Sequence, residues 1–198
     1  MNTVVPDEAL VERTVRGDTR AYDELVCRWQ SVIYNLVYRM LGKEHEAEEV
    51  CQDAFTAAYL NLKNFRRESK FSSWLYRIAI NLSTSHLRKR QRTPTDSLDE
   101  MTERGVSAEI EAVQWNLNGG PSVEARLLER DRARHVRRAI GKLADEQRVV
   151  LILKEYQGLT FKEISEVLNV PVSTVKTRMY AGLNEMKRHL NHAGLQGN

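Results

Sequence analysis

Only two cysteines occur among the 198 residues, Cys27 and Cys51, and no CxxC spacing joins them. Both fall inside helical apolar patterns, which argues against a disulfide framework or thiolate metal site and fits a reducing compartment. The five histidines are scattered; His189 and His192 stand three apart, but no carboxylate or cysteine cluster accompanies them, so no metal is expected. No run reaches the roughly 18 apolar residues of a membrane helix, so no membrane insertion is expected. The beginning, "MNTVVPDEALVERTVRGD", has early acids and no apolar core, unlike a signal peptide. A Gly-rich phosphate loop is missing, "GLTFKE" is not one, and no nucleophile stands beside an evident base. The expectation is a soluble, cytoplasmic chain that is not an enzyme and needs no cofactor. Segments of β period and internal repeats are lacking too, which leaves an all-α fold.

What is present is charge, unevenly placed. The net charge is only +3. Residues 63–92, however, carry nine Lys/Arg against Glu68, and residues 93–121 carry six acids against Arg104. The first block can neutralise a phosphate backbone or simply be the solvated end of a basic helix. The acidic block, broken by Gly105 and "NGGP", reads as a flexible linker over 93–121, with Trp115 and Leu117 unexplained within it.

Helical periodicity dominates the remainder. Leu25, Val26, Trp29, Val32, Ile33, Leu36, Val37, Met40 and Leu41 recur at steps of three and four, and Gly42 closes that helix. Ala47, Val50, Cys51, Ala54, Phe55, Ala58, Tyr59 and Leu62 repeat the pattern. The opposite face is acidic, with Glu44, Glu46, Glu48, Glu49 and Asp53, and suits either the helix dipole or a basic partner. A third helix, "FSSWLYRIAINLSTSHLRKRQR", has Ser69 or Ser72 as candidate N-caps and Trp74, Leu75, Ile78, Ala79 and Leu82 as its apolar stripe. Thr93-Pro94 ends it, and helices are expected to resume at Ser122. The architecture predicted is two small helical bundles, residues 1–92 and 122–198, joined by the acidic linker.

Near the C-terminus, "LTFKEISEVLNVPVSTVKTRMY" places two short amphipathic runs around a break at Asn169-Val170-Pro171. The second run can bury Val175, Met179, Leu183 and Met186. That leaves Ser173, Thr174, Lys176, Thr177, Arg178 and Tyr180 outward, as a major-groove reading helix requires. The pattern predicts a helix-turn-helix, although two packed helices around a proline turn produce a similar one.

Taken in order, "YRMLGKEHEAEEVCQDAFTAAYLNL", "FRRESKFSSWLYRIAINLSTSHLRKR" and "LADEQRVVLILKEYQGLTFKEISEVLNVPVSTVKTR" resemble a bacterial extracytoplasmic-function (ECF) sigma factor of the sigma-70 family. The resemblance implies that the chain binds core RNA polymerase and directs promoter-specific initiation. It implies docking on the polymerase clamp helices through Glu48, Glu49, Gln52 and Asp53. Recognition and melting of the −10 element would fall to Asn61, Phe65, Trp74, Ile78 and Asn81. Arg66, Arg67, Lys70, Arg88, Lys89 and Arg90 would hold the backbone there. Lys154, Ser173, Thr174, Lys176, Thr177, Arg178 and Tyr180 would read the −35 element. An anti-sigma factor, often membrane-anchored in this family, is a further implied partner, and the linker resembles the segment that threads the RNA-exit channel.

Two positions depart from the pattern. Where many relatives carry a basic R-A/G-R string, this chain has Ala181-Gly182-Leu183, and where relatives often have Asp it has Ser85. The competing reading is a stand-alone helix-turn-helix regulator, which would leave the helix of Trp74 and Asn81 without a task.

Overall fold

Asp18 starts the helix around which the N-terminal half is built. Its carboxylate accepts from the Ala21 amide (3.4 Å) and caps α2, Thr19–Leu41. Gly42, at φ 78°, turns the chain out of α2 in the left-handed region, where a side chain would be strained. The computed structural model describes residues 5–65, 69–92 and 133–192. The expectations placed on Arg66, Arg67, the linker with Trp115 and Leu117, and a helix resuming at Ser122 lie outside those residues.

Before α2 comes α1, Asp7–Val15, which the apolar pattern from Tyr22 onward does not reveal. It is short, and its Leu10 and Val11 are buried. Asp7 ties it down by accepting from the Trp29 indole (2.9 Å) and the Arg28 guanidinium (2.5 Å). Next are α3, Glu44–Asn61, a 3₁₀ turn at Leu62–Asn64, and α4, Phe71–Arg92. The expected serine cap of α4 is not found. The helix begins at Phe71, and the Trp74 amide donates to the Lys70 carbonyl (3.2 Å), so Lys70 holds the N-cap position instead of Ser69 or Ser72. The expected stripes of α2, α3 and α4 meet in one core containing Leu25, Ile33, Leu36, Ala54, Phe71, Leu75 and Ala79.

The C-terminal half consists of α5 (residues 133–141), α6 (Asp145–Glu155), α7 (Phe161–Leu168) and α8 (Val172–His192). A capping box opens α7: Thr160 Oγ1 accepts from the Glu163 amide (3.2 Å) while Glu163 accepts from the Thr160 amide (3.0 Å). Asn169 ends α7 in the left-handed region at φ 52°, which asparagine tolerates better than most residues. The turn is held further by Ser165 Oγ donating to the Val170 carbonyl (2.6 Å). Ile164, Val167, Val175 and Met179 are buried as the pattern requires.

Leu183 is a correction. It is 40% exposed, and its neighbour Gly182 faces inward instead, against Gln147 of α6. A helix turns 100° per residue, so a stripe stepping four, four and three from Val175 drifts off the buried face by its third member.

The two halves pack on each other, α2 against α6 and α4 against α7. Arg148, almost fully buried, spends its guanidinium on the carbonyls of Ile140, Gly141 and Leu143 in its own half and of Met40 in the other (3.0 Å). All its donors are directed at oxygen, which is what lets a cation be buried there. Burial nevertheless lowers its pKa, partly opposed by Asp145.

Candidate nucleic-acid and protein interfaces

On α8 the outward residues are those the sequence pattern selects. Ser173, Lys176, Thr177 and Tyr180 are exposed, and Thr174 and Arg178 are half-buried. Thr177 donates its hydroxyl to the Ser173 carbonyl (3.0 Å). Lys154 comes from the end of α6 and joins this surface through a shared ring. Its ammonium lies 5.1 Å, and that of Lys176 5.9 Å, from the centroid of Phe161. Lys154 also donates to the Leu159 carbonyl (3.2 Å), and Arg178 pairs loosely with Glu146 at 3.7 Å. Close packing of α8 on α6 requires a small residue at 182, and the positions on either side, Ala181 and Leu183, carry no charge.

A second surface runs along α4. Lys70, Trp74, Arg77, Asn81, Ser85 and Arg88 follow one another at steps of three and four and so share a face, which Ile78, four after Trp74 and three before Asn81, joins. Lys70, Arg77, Asn81, Ser85 and Arg88 are exposed, while Trp74 and Ile78 are half-buried. Phe65 joins this face by packing on Trp74 (ring centroids 5.2 Å) and Phe71 (6.2 Å). The result is an aromatic and amide surface flanked by cations, able to stack a base and to bond its edge. Asn61 is exposed beside it, its amide donating to the Ala57 carbonyl (2.8 Å). Arg77 is absent from the sequence-derived candidates, although its place in the stripe was available in the spacing from Lys70 and Trp74.

The basic end of α4 is less free than its composition suggests. Arg90 pairs with Glu46 (3.2 Å), which also takes His86 (3.1 Å) and Lys43 (3.4 Å). Glu46 thereby leaves the outward acidic face of α3. Ser85, Arg88, Lys89 and Arg92 line a hollow of about 460 Å³. With serine where relatives often have aspartate, the lining of that hollow carries positive charge only.

The third surface is a groove of about 860 Å³ between α2 and α3. Its floor is aromatic, with Tyr22, Tyr34, Phe55 and Tyr59, and Asp23, Glu48 and Gln52 lie along it. Tyr22 is fixed there by donating to the Phe55 carbonyl (2.5 Å) and by its ring contact with Tyr59 (4.9 Å). Burial raises the pKa of Tyr22 well above the usual phenol range and pushes the Cys51 thiol up to about 11. Glu48 and Gln52 border the groove; Glu49 and Asp53 are exposed on α3 but outside its lining. An apolar trough with acidic margins is shaped for an amphipathic helix bearing basic residues. The contribution of α2 to it is not legible from periodicity, which assigns Val26 to the apolar stripe.

No helix of the described residues is long and apolar enough to cross a membrane, and no cluster of potential metal ligands occurs among them.

Comparison with known proteins gives the family. Residues 25–93 match the family described as Sigma-70 region 2, and residues 133–186 that described as Sigma-70, region 4. The chain is 40% identical to the RNA polymerase sigma-H factor of Pseudomonas aeruginosa, over 91% of each protein. It is 36% identical to the ECF RNA polymerase sigma factor SigW of Bacillus subtilis, over 91% of this chain and 94% of the relative. Among solved structures, CnrH, in complex with the cytosolic domain of CnrY, aligns with a TM-score of 0.66 over 94% of this chain and 97% of that one. The sigma factor RpoE of Bartonella quintana, in complex with the anti-sigma factor NepR, aligns at 0.64 over 86% and 96%. At 22% and 17% identity these two are likenesses of fold. The chain belongs to the sigma-70 family, among the ECF RNA polymerase sigma factors. It is a promoter-specificity factor for transcription initiation and not an enzyme.

Proposed function

We propose that residues 1–92 dock on core polymerase and open the −10 element, and that residues 122–198 read the −35 element. The observation that carries this is the stripe on α4, where Trp74, Ile78 and Asn81, with Phe65 packed on Trp74, form one face beside Lys70. A base swung out of the duplex needs a surface that stacks on its ring and bonds its edge, and the cations beside it hold the displaced strand. Asn61 takes part in the same recognition, and the cations Arg88, Lys89 and Arg90, together with Arg66 and Arg67 by their place in the sequence, are assigned to the backbone. In α8, short Ser173 and Thr174 let the helix approach the groove while Lys176, Arg178 and Tyr180 reach edges and phosphates; Thr177 and Lys154 complete that surface.

The groove between α2 and α3 receives the clamp helices of polymerase, with Glu48 and Gln52 at its border and Glu49 and Asp53 on the adjoining face. An anti-sigma factor is the second protein partner, a role supported by the complexes of CnrH with CnrY and of the Bartonella protein with NepR. The working compartment is the cytoplasm, where the polymerase is. Run-off transcription by purified core polymerase, with and without this chain, on promoters from its own genome tests the reading. Transcripts dependent on the chain are expected; no dependence on any promoter, together with no binding to core, would end it.

A further inference from the structure

Lys154 and Lys176 are anchored by a group that carries no charge. Lys154 stands at the end of α6 and Lys176 in the second turn of α8, yet both ammonium groups lie over one ring, that of Phe161. Their distances to its centroid are 5.1 and 5.9 Å. Among the described residues no carboxylate pairs with either lysine. Other cations of these surfaces are held differently: Arg178 lies 3.7 Å from Glu146, and Arg90 3.2 Å from Glu46. A carboxylate that orients a cation also competes with a phosphate for it. The face of a phenyl ring attracts the same cation through its quadrupole and leaves the charge whole.

Phe161 is well fixed for this. It is the first residue of α7, directly after Thr160, whose capping box sets the start of the helix. It is half-buried and packs against the core. The ring is thus held by backbone and core alike. A lysine, by contrast, has a flexible four-carbon stem and loses side-chain entropy whenever its ammonium is localised. Lys154 is restrained a second time by donating to the Leu159 carbonyl (3.2 Å); for exposed Lys176 the ring is the restraint. An ammonium has three N–H donors, so one that rests on a ring keeps others for phosphate oxygens.

We propose that Phe161 is a positioning residue of the −35 surface. Its ring holds one lysine from α6 and one from α8 in advance, as a pair of un-neutralised cations for the phosphates of the duplex. Part of the entropy of ordering two long side chains is then lost on folding rather than on binding, which raises affinity without contact between the ring and DNA. The inference rests on the assignment of Lys154 and Lys176 to the −35 element.

Two measurements on the full chain test this. In the free chain, the ε-methylene NMR signals of Lys154 and Lys176, assigned by their loss in the two alanine variants, should lie upfield through the ring current. Phe161→Leu, which keeps apolar bulk at the core, should return them to ordinary positions, and Phe161→Tyr should keep them upfield. In complex with core polymerase, the chain is then bound to a duplex carrying only the −35 segment of a promoter active in the run-off assay. Phe161→Leu should weaken that binding about two- to fivefold, and Phe161→Tyr should restore it. In a chain already carrying Lys154→Ala and Lys176→Ala, Phe161→Leu should have no further effect. Equal weakening in both backgrounds would make the ring merely structural, and ordinary lysine signals in the unmodified chain would likewise overturn the proposal. Upfield signals together with full duplex affinity in the double lysine variant would instead take Lys154 and Lys176 off the −35 element, and the role of Phe161 in binding with them.

Discussion

Gly182 lies against Gln147: a carbon built on its Cα would sit 3.3 Å from Gln147 Cβ and 3.7 Å from the Gln147 carbonyl oxygen. The first of these is tighter than ordinary van der Waals contact, so α8 seats closely on α6 at this point. Gly182→Ala gains about 0.8–1 kcal/mol of helix propensity and loses a comparable amount to crowding, so stability should change by less than about 1 kcal/mol. Gly182→Leu should cost about 1–3 kcal/mol as an overpacking substitution. Urea unfolding of the two variants checks this, and equal stabilities would show that the contact yields freely.

Leu183 is 40% exposed on α8 and uncharged. Leu183→Arg should tighten binding to −35 duplex and steepen the slope of log affinity against log salt by about 0.9, the signature of one added phosphate contact. A parallel salt plot would place residue 183 away from DNA.

With neighbours 181 and 183 neutral, the positive charge of the first three turns of α8 rests on Lys176 and Arg178. Alanine at either should cost about 1–3 kcal/mol of −35 binding. Glu146→Gln should act oppositely and weakly, because it releases Arg178 from its 3.7 Å partner. A mild effect of both alanine changes in a −35-dependent transcription assay would refute the dependence.

Opening and docking should separate by residue. Asn81→Ala is expected to impair opening at the −10 element, read by permanganate reactivity of unpaired thymines, with core affinity intact. Changes at Gln52 and Asp53 should weaken binding to core without that defect, and Gln52, which borders the groove, should matter more than Asp53. Normal opening by Asn81→Ala would remove that residue from the pocket.

The carboxyl of Glu163 is held down to about 2, from an ordinary 4.5, by the Thr160 amide first and then by Lys70 and the Thr160 hydroxyl. A depressed carboxyl stabilises the fold fully above the unfolded value and loses that contribution as pH falls. The capping of α7 is therefore complete above about pH 4.5 and lost toward pH 2. Carboxyl-carbon NMR should show a midpoint near 2 that moves up in Thr160→Ala, a substitution costing about 1 kcal/mol of stability. An ordinary midpoint would mean the box is open in solution.

Much of this protein is determined by the sequence alone. The periodic stripes of α2, α3 and α4 specify which faces are buried, because burial of apolar area dominates helix packing and recurs at a countable spacing. The turn at Asn169-Pro171 and the outward set on α8 are local features, so they too are legible; Thr160 and Glu163 were equally legible as a capping-box signature, though periodicity alone passes over them. The stripe fails where spacing drifts, at Leu183, and where a face is half apolar, as at Val26, which is half-buried beside the groove. What only the tertiary structure decides is partnership across long separations. Glu46 turns from the outward face of α3 to Arg90, Arg148 reaches Met40, and Arg77 reaches the end of α7, a pairing 89–90 residues apart in the chain. Charge attracts without regard to sequence spacing, so no periodicity records which cation meets which oxygen until the chain has folded.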